Sequence, residues 1–328
     1  MSTHLSRRQF TARLATAAVA LPAGLSSAWA SDDRPIRIMV GFPPGGGSDA
    51  IARLLAEKLK DELKRPVIVD NRPGASTAVG AGLVAKAQPD GYTLLLGAGS
   101  TLTMNPVVRK TLPYDPQRGF TMLGVVADMG LVLVANNEVK ANTLQELVAE
   151  SKAAPDKFSY GSFGSASSVH FAGELLKTAT GLNMLHVPFN GSSPSLTALM
   201  GGQVQLAVDT VVATTPLIKS GKIKPIAALG AKRLALLPQV PTVAESGYPG
   251  FDMSTWFTFM APAGLAAPVQ RKLEQTLAEV MAVPEMQRKL VDVGLTPAWG
   301  PGSALRERVE RELPLMREVA QRAHIQAD

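Results

Sequence analysis

Residues 40–59 read VGFPPGGGSDAIARLLAEKL. An apolar run over residues 35–40 meets two prolines and three glycines, after which Ile51, Leu55 and Leu59 recur at helical spacing. The pattern predicts a strand, a glycine loop, and a helix from Ser48 to about Leu63. The start of such a helix offers unpaired backbone N–H groups and a partial positive charge. A loop of this kind can hold an anion, carry a catalytic group, or only turn the chain.

The same grammar repeats along the chain. Strands are predicted over residues 66–70, 92–97 and 124–135, with a small-residue helix over 75–87. A second series follows: a helix over 143–153, a strand over 158–161, a Ser/Gly loop over 162–168 and a helix over 169–180 closed by Gly181. Short strands at 186–189, 205–209 and 223–229 complete it, with a helix ending near Leu199. The last third holds a strand over 256–261 and helices over 268–281 and 303–323. This alternation predicts α/β architecture with largely parallel sheets. Four glycine- or serine-rich loops, at residues 41–49, 71–77, 161–168 and 190–195, each join a strand to a helix. In open α/β sheets, ligands bind beyond the carboxyl ends of strands, where such loops lie.

Composition narrows the partners. The 328 residues are 46% hydrophobic and 18% charged, enough for a sizeable core. Aromatics are only 5%, too few for stacking platforms along single-stranded nucleic acid. The net charge of +6 belongs partly to the first thirty residues, which hold Arg7, Arg8 and Arg13 and no acid. Without those three, the 33 basic residues against 27 acidic ones leave +3, scattered along the chain. A nucleic-acid partner is therefore not expected.

Residues 1–30 have the layout of an export signal: basic start, apolar stretch over about 14–25, and Ala28-Trp29-Ala30 as a small-x-small end. Cleavage after Ala30 and a periplasmic location are expected. Ser6-Arg7-Arg8-Gln9-Phe10 fits a twin-arginine signal, with a general secretory signal as the alternative. The chain has no cysteine, so neither a lipid anchor on cysteine nor a disulfide is expected.

Catalytic readings find little support. Gly45-Gly46-Gly47-Ser48-Asp49 lacks the lysine of a P-loop, no G-x-G-x-x-G follows the first strand, and no G-x-S-x-G elbow is present. Among four histidines and no cysteines there is no H-E-x-x-H, so neither a metal nor a cofactor is expected, and the chain is read as a non-enzyme. Single residues keep two readings. Asp49 favours the helix macrodipole over ligand contact. His170 either packs at a helix start or touches ligand, and His186 and Trp256 read as structural. Asp209 ends a strand, where it binds a ligand amine or hydroxyl or ties down a neighbouring loop. The serines at 162, 165, 167 and 168 exceed what capping requires, which points to ligand contact by at least one.

An ordered set of phrases gives a family resemblance. Phe42-Pro43-Pro44-Gly45-Gly46 with Asp49 and Arg53 comes first, then Asn71-Arg72-Pro73-Gly74-Ala75 and Pro89-Asp90-Gly91-Tyr92-Thr93-Leu94. Tyr160-Gly161-Ser162 with His170 and Glu174, His186-Val187-Pro188-Phe189, Pro241-Thr242-Val243 and Ala261-Pro262-Ala263-Gly264 follow. Over essentially the whole mature chain this resembles the periplasmic solute receptors of tripartite tricarboxylate transporters, the Bug-type receptors.

The resemblance implies a type II-like periplasmic-binding-protein fold, with two α/β domains and a ligand cleft between them. Domain one would comprise residues 31–127 and 253–328, and domain two residues 128–252. The expected ligand is a small organic carboxylate, the expected partners are the transporter's membrane subunits, and the expected state is a monomer. A carboxylate sensor feeding a signalling partner, or a periplasmic enzyme acting on carboxylates, is the alternative. By position, first-domain contacts would come from Phe42, Gly45, Gly46, Ser48, Ala75, Ser76 and Ser100. Those of the second would come from Ser162, Ser165, Ser168, His170 and Asp209. Many relatives read Tyr-Lys where this chain has Phe189-Asn190, which removes a hydroxyl and a cation near the cleft.

Overall fold

A computed structural model describes residues 34–326. The export signal expected over residues 1–30 lies outside the described residues. The longest strand, β4 (Phe120–Ala135), is buried along nearly its whole length. Its sixteen residues are rich in Val, Leu, Met and Phe and contain no proline, which suits a strand covered on both faces. Its first part pairs antiparallel with β9 (Ser254–Pro262), from Phe120 opposite Pro262 to Gly130 opposite Ser254. The next residue opens a different ladder, with Leu131 to Ala135 antiparallel to β7 (Leu206–Thr210). One strand thus runs through two sheet regions.

In the first region β1 (Ile36–Val40) lies parallel between β2 (Val67–Asn71) and β3 (Thr93–Ala98), and β3 pairs antiparallel with β9. The second has β5 (Ser159–Ser162) parallel to both β6 (Leu185–Pro188) and β7. Strands β8 (Lys224–Ala228) and β10 (Leu295–Pro301) add to β4 antiparallel. The expectation of largely parallel sheets is corrected here. The β1–β3 and β5–β7 groups are parallel, but every ladder made by β4 and β9 is antiparallel, β4 running against its partners in both regions and β9 against both β3 and β4.

Helices cover both faces. Helix α1 (Gly47–Leu63) follows the glycine loop and buries Ile51, Leu55 and Leu59. Helix α2 (Ala78–Ala85) is shorter than expected, because Ala75, Ser76 and Thr77 adopt left-handed backbone instead of a first helical turn. A π-helical turn, Ser100–Met104, leads into α3 (Asn105–Val108). Helix α4 (Leu144–Ala153) starts with a capping box between Thr143 and Glu146. Helix α5 (Ser168–Thr180) is capped by Ser167 and stopped by left-handed Gly181. Helices α6 (Ser192–Met200) and α7 (Val211–Lys219) follow β6 and β7. Sequence reasoning missed α7, whose β-branched residues and internal Pro216 disguise it. Helix α8 (Ala267–Ala282) was expected; α9 (Pro284–Asp292) and β10 were not.

The last helix, α10 (Gly302–Arg322), joins both cores. Leu305 and Val309 pack with Leu95, Trp256 and Met260, while Met316 and Ala320 pack with Leu131, Leu133 and Phe171. Polar contacts align it. Arg308 Nη1 donates to Asp128 Oδ1 at 2.6 Å and its Nε to Glu312 Oε1 at 2.8 Å. Trp256 Nε1 donates to Glu312 Oε2 at 2.7 Å, and the Arg308 guanidinium lies 5.0 Å from the Trp256 ring centroid.

Trp256 is 1% exposed and holds both a core position and this helix. Trp256→Ala is expected to cost about 3–5 kcal/mol in urea unfolding. Leu315→Ala, at a site 52% exposed on the same helix, should cost under about 0.5 kcal/mol. Equal losses for the two would contradict the packing described.

Candidate functional site

The glycine loop uses its Gly45 amide internally and ends where the helix amides of Gly47 and Ser48 begin. Gly45 sits at φ +88°, a conformation that side chains disfavour. Gly46 caps α1 at φ −91° and ψ 177° and offers no side chain to the helix amides. Asp49 fixes the loop from inside. Its Oδ2 accepts from the Gly45 amide at 3.1 Å and from Arg53 Nε at 2.9 Å. Burial pushes the Asp49 carboxyl up, but the Arg53 and Gly45 hydrogen bonds outweigh this and hold it below the usual range. Asn71 Nδ2 donates to the Phe42 carbonyl at 3.1 Å and ties the loop to β2.

A cavity of about 50 Å³ lies beyond this loop. From the β1–β3 side it is lined by Phe42, Pro43, Pro44, Gly46, Gly47, Ser48 and Ala98, with Met129, Thr255 and Phe257. Across from them stand Phe163, Ser168, Gly191, Ser192, Ser193, Pro194, Asp209 and Thr210. Four helix starts therefore border one space: α1 at Gly46–Ser48, α5 at Ser168, α6 at Ser192 and α7 at its cap Thr210. Their combined field favours an anion, and the lining contains no cationic side chain.

Asp209 is the lining's one charged group, and it is fully buried. Oδ2 accepts from Ser192 Oγ at 2.7 Å, and Oδ1 from the Thr210 amide at 2.6 Å. Burial pushes its carboxyl up to about 6 against those hydrogen bonds.

The two sides touch directly. Ser76 Oγ donates to the Ser165 carbonyl, and the Phe42 and Phe163 rings meet edge to face at 5.3 Å. A Cβ on Gly191, itself at φ +116°, would come 3.1 Å from Pro43 Cγ. The facing loops also hold strained backbone: Ala75, Ser76 and Thr77 on one side and Ala166 on the other all have positive φ. Such conformations cost roughly 1–3 kcal/mol each. Thr77 Oγ1 to Thr101 Oγ1 at 2.8 Å, and Asn105 Nδ2 to the Ser76 carbonyl at 2.8 Å, hold the first of these loops in place. A second cavity, about 580 Å³, shares Phe42, Pro43, Phe163 and Gly191 with the first and adds Ala75, Ser76, Arg109, Ser165, Phe189 and Asn190.

Behind the second face, two imidazoles stack. The His170 and His186 rings lie 3.7 Å apart at 10°. His170 Nδ1 accepts from the Ala166 amide at 3.2 Å, and His186 Nε2 lies 2.7 Å from Ser162 Oγ. Tyr160 donates to Glu174 Oε1 at 2.8 Å beneath them. Burial lowers His170 to about 4 despite the pull of Glu174, and lowers His186 to about 3 with repulsion from His170 and Lys177 added. Both rings are neutral at pH 7 and hold the Ser162–Ser168 loop in shape.

Of the residues expected to touch ligand, Phe42, Gly46, Ser48, Ser168 and Asp209 line the first cavity. Phe42, Ala75, Ser76 and Ser165 line the second. Gly45, Ser100, Ser162 and His170 line neither. Gly45 shapes the loop through Asp49, and Ser162 and His170 belong to the stacked pair. Ser100 is buried at the π-helical turn, its Oγ unpaired among the described residues. Sequence reasoning did not single out Phe163, Ser192, Thr210 or Phe257. Ser192 lies in the 190–195 loop and was within reach of the loop rule; Phe163 and Phe257 carry no signal beyond hydrophobicity.

The histidine pair sets the acid sensitivity. Both pKa values lie below the ordinary 6.5, so the unfolded chain takes up protons first, and stability falls as pH drops from 6.5 toward 4. Asp209, raised, acts in the opposite sense between its ordinary 3.8 and about 6. Between pH 7 and 5 the unfolding free energy is expected to drop by about 1–3 kcal/mol. Imidazole NMR should show both buried rings neutral at pH 5. Two rings titrating near 6.5 would contradict the stacked, buried pair.

A family profile described as "Tripartite tricarboxylate transporter family receptor" matches residues 51–319. Protein BugT of Bordetella pertussis is 36% identical over 285 residues, 87% of this chain and 86% of that one. The solved structure of periplasmic binding protein BugD is 34% identical, with a TM-score of 0.84 over 90% of this chain and 99% of that one. Rpa4515 of R. palustris, solved with adipate, is 33% identical, with a TM-score of 0.86 over 89% and 98%. MatC of Rhodopseudomonas palustris, solved with bound malate, is 28% identical, with a TM-score of 0.80 over 87% and 98%. The fold is the two-domain α/β fold of periplasmic binding proteins, and the chain belongs to the tripartite tricarboxylate transporter family of receptors.

Proposed function

We propose that this chain is a periplasmic receptor, exported with cleavage after Ala30, that carries one small organic carboxylate to the membrane subunits of a tripartite tricarboxylate-type transporter. It acts as a monomer, without cofactor or metal, and breaks no bond. Domain one is formed by residues 31–127 and 253–328, and domain two by residues 128–252. The observation that carries this reading is the cavity bordered by four helix starts and no cationic side chain. The adipate and malate held by the two R. palustris relatives support a carboxylate ligand.

The ligand carboxylate docks on the amides and hydroxyl of Gly46–Ser48, and domain closure brings Ser168 and the α6 start against it. Charge-assisted hydrogen bonds of about 1.5–3 kcal/mol each are enough in number for micromolar binding, which needs about 8 kcal/mol. Closure is stabilised by Ser76 on Ser165 and Phe42 on Phe163, contacts that join the two sides. Ligand shifts the open–closed balance only through its higher affinity for the closed form. The closed face is what the transporter reads.

A thermal-shift screen of carboxylates tests the reading, since a bound ligand raises Tm by mass action. Gly46→Leu sharpens it. Gly46 has negative φ, and a Cβ there meets nothing within 4 Å, so the fold should survive while the new side chain occupies the ligand's space. Calorimetry should show at least about a hundredfold weaker binding for the variant, the loss of two such hydrogen bonds. Unchanged affinity would remove the loop from the binding site, and turnover of a stabilising compound would replace the receptor reading with an enzyme.

A further inference from the structure

The cavity holds an opposing charge that a plain carboxylate cannot satisfy. Asp209 is wholly buried in the lining, and no cationic side chain lies within ion-pair distance of it among the described residues. Ser192 Oγ donates to one of its oxygens and the Thr210 amide to the other, with the Thr210 hydroxyl as a further partner. A carboxylate offers about four acceptor positions, so these three donors leave one free. An anionic ligand at Gly46–Ser48 would share this small space with a second negative charge. A buried carboxylate left without a counter-charge is costly.

We infer that the receptor's ligand is a small amino carboxylate, bound as a zwitterion with its carboxylate at Gly46–Ser48 and its ammonium directed at Asp209. This rests on the receptor reading above. An ammonium placed between the two anionic groups satisfies both, and the rings of Phe42, Phe163 and Phe257 in the lining suit a compact apolar body. The hydroxyls of Ser168 and Ser192 stand beside it as further acceptors. The rise of the Asp209 carboxyl to about 6 is the expected signature of a buried acid awaiting a cation.

Matched pairs that differ only in the amine provide the test: L-alanine with propionate, 2-aminobutyrate with butyrate, and L-proline with cyclopentanecarboxylate. Calorimetry on the mature protein should find the amino member of at least one pair binding about ten- to a hundredfold tighter. Asp209→Asn, which keeps the side chain's shape, should bring that ratio close to one. The wild-type comparison stands by itself if the variant does not fold. Binding confined to carboxylates without an amine, adipate and malate included, overturns the zwitterion while leaving the receptor intact. Binding by no carboxylate of either kind overturns both. A ratio unchanged by Asp209→Asn in a folded variant removes Asp209 as the ammonium's partner and also overturns the inference.

Discussion

One strand fixes where everything else can go. Because residues 120–130 pair with β9 and the next five with β7, the two sheet regions share one continuous strand rather than a loop. The strand–loop–helix units on either side then bring their helix starts toward the same space. The burial of β4 on both faces explains why it carries almost no polar side chain: its pattern is set by two cores at once. The C-terminal helix reinforces the arrangement, with its first half in one core and its second half in the other. Arg308 bridging Asp128 and Glu312 fixes its register at the point where the cores meet.

In the proposed site, small residues and strained backbone stand where many anion sites place cationic side chains. Amides at Gly46–Ser48 can approach a ligand because nothing projects from Gly46, and Asp49 holds the loop from behind without reaching the cavity. The left-handed run Ala75-Ser76-Thr77 shortens α2 and puts Ser76 against the facing loop. Neutral, stacked His170 and His186 serve the second face in the same way that Asp49 serves the first. They shape a loop and leave its polar groups available. The family is one of receptors, and the zwitterion proposed as its ligand rests on the buried Asp209.

Much of this was legible in the sequence, for identifiable reasons. The Val40–Leu59 stretch combines an apolar run, a glycine loop and helical spacing, three local signals with one meaning, and α1 begins within a residue of the expected place. Gly181 and Thr143 marked helix ends through their own backbone and side-chain chemistry. Local signals failed where tertiary contacts decide. Helix α7 forms despite Pro216 because Thr210 caps it and Val211 packs into the core. Residues 75–77 leave the helix because contacts from Thr101 and Asn105, distant in sequence, hold them out. The antiparallel β4–β9 pair joins residues more than a hundred positions apart, which no local pattern encodes. In the site, loop serines and glycines were visible, whereas Phe163 and Phe257 look like any core aromatic until the fold places them in the lining.

The central claim is that helix-start amides, and no cation, hold the ligand's carboxylate. A crystal structure of the closed protein with a bound carboxylate tests it most directly. The account predicts carboxylate oxygens about 2.7–3.2 Å from amides of Gly46–Ser48, with the rest of the ligand between Phe42, Ser168 and Asp209. A carboxylate paired instead with Arg109 in the neighbouring cavity, and the Gly46–Ser48 amides facing only solvent, would contradict it.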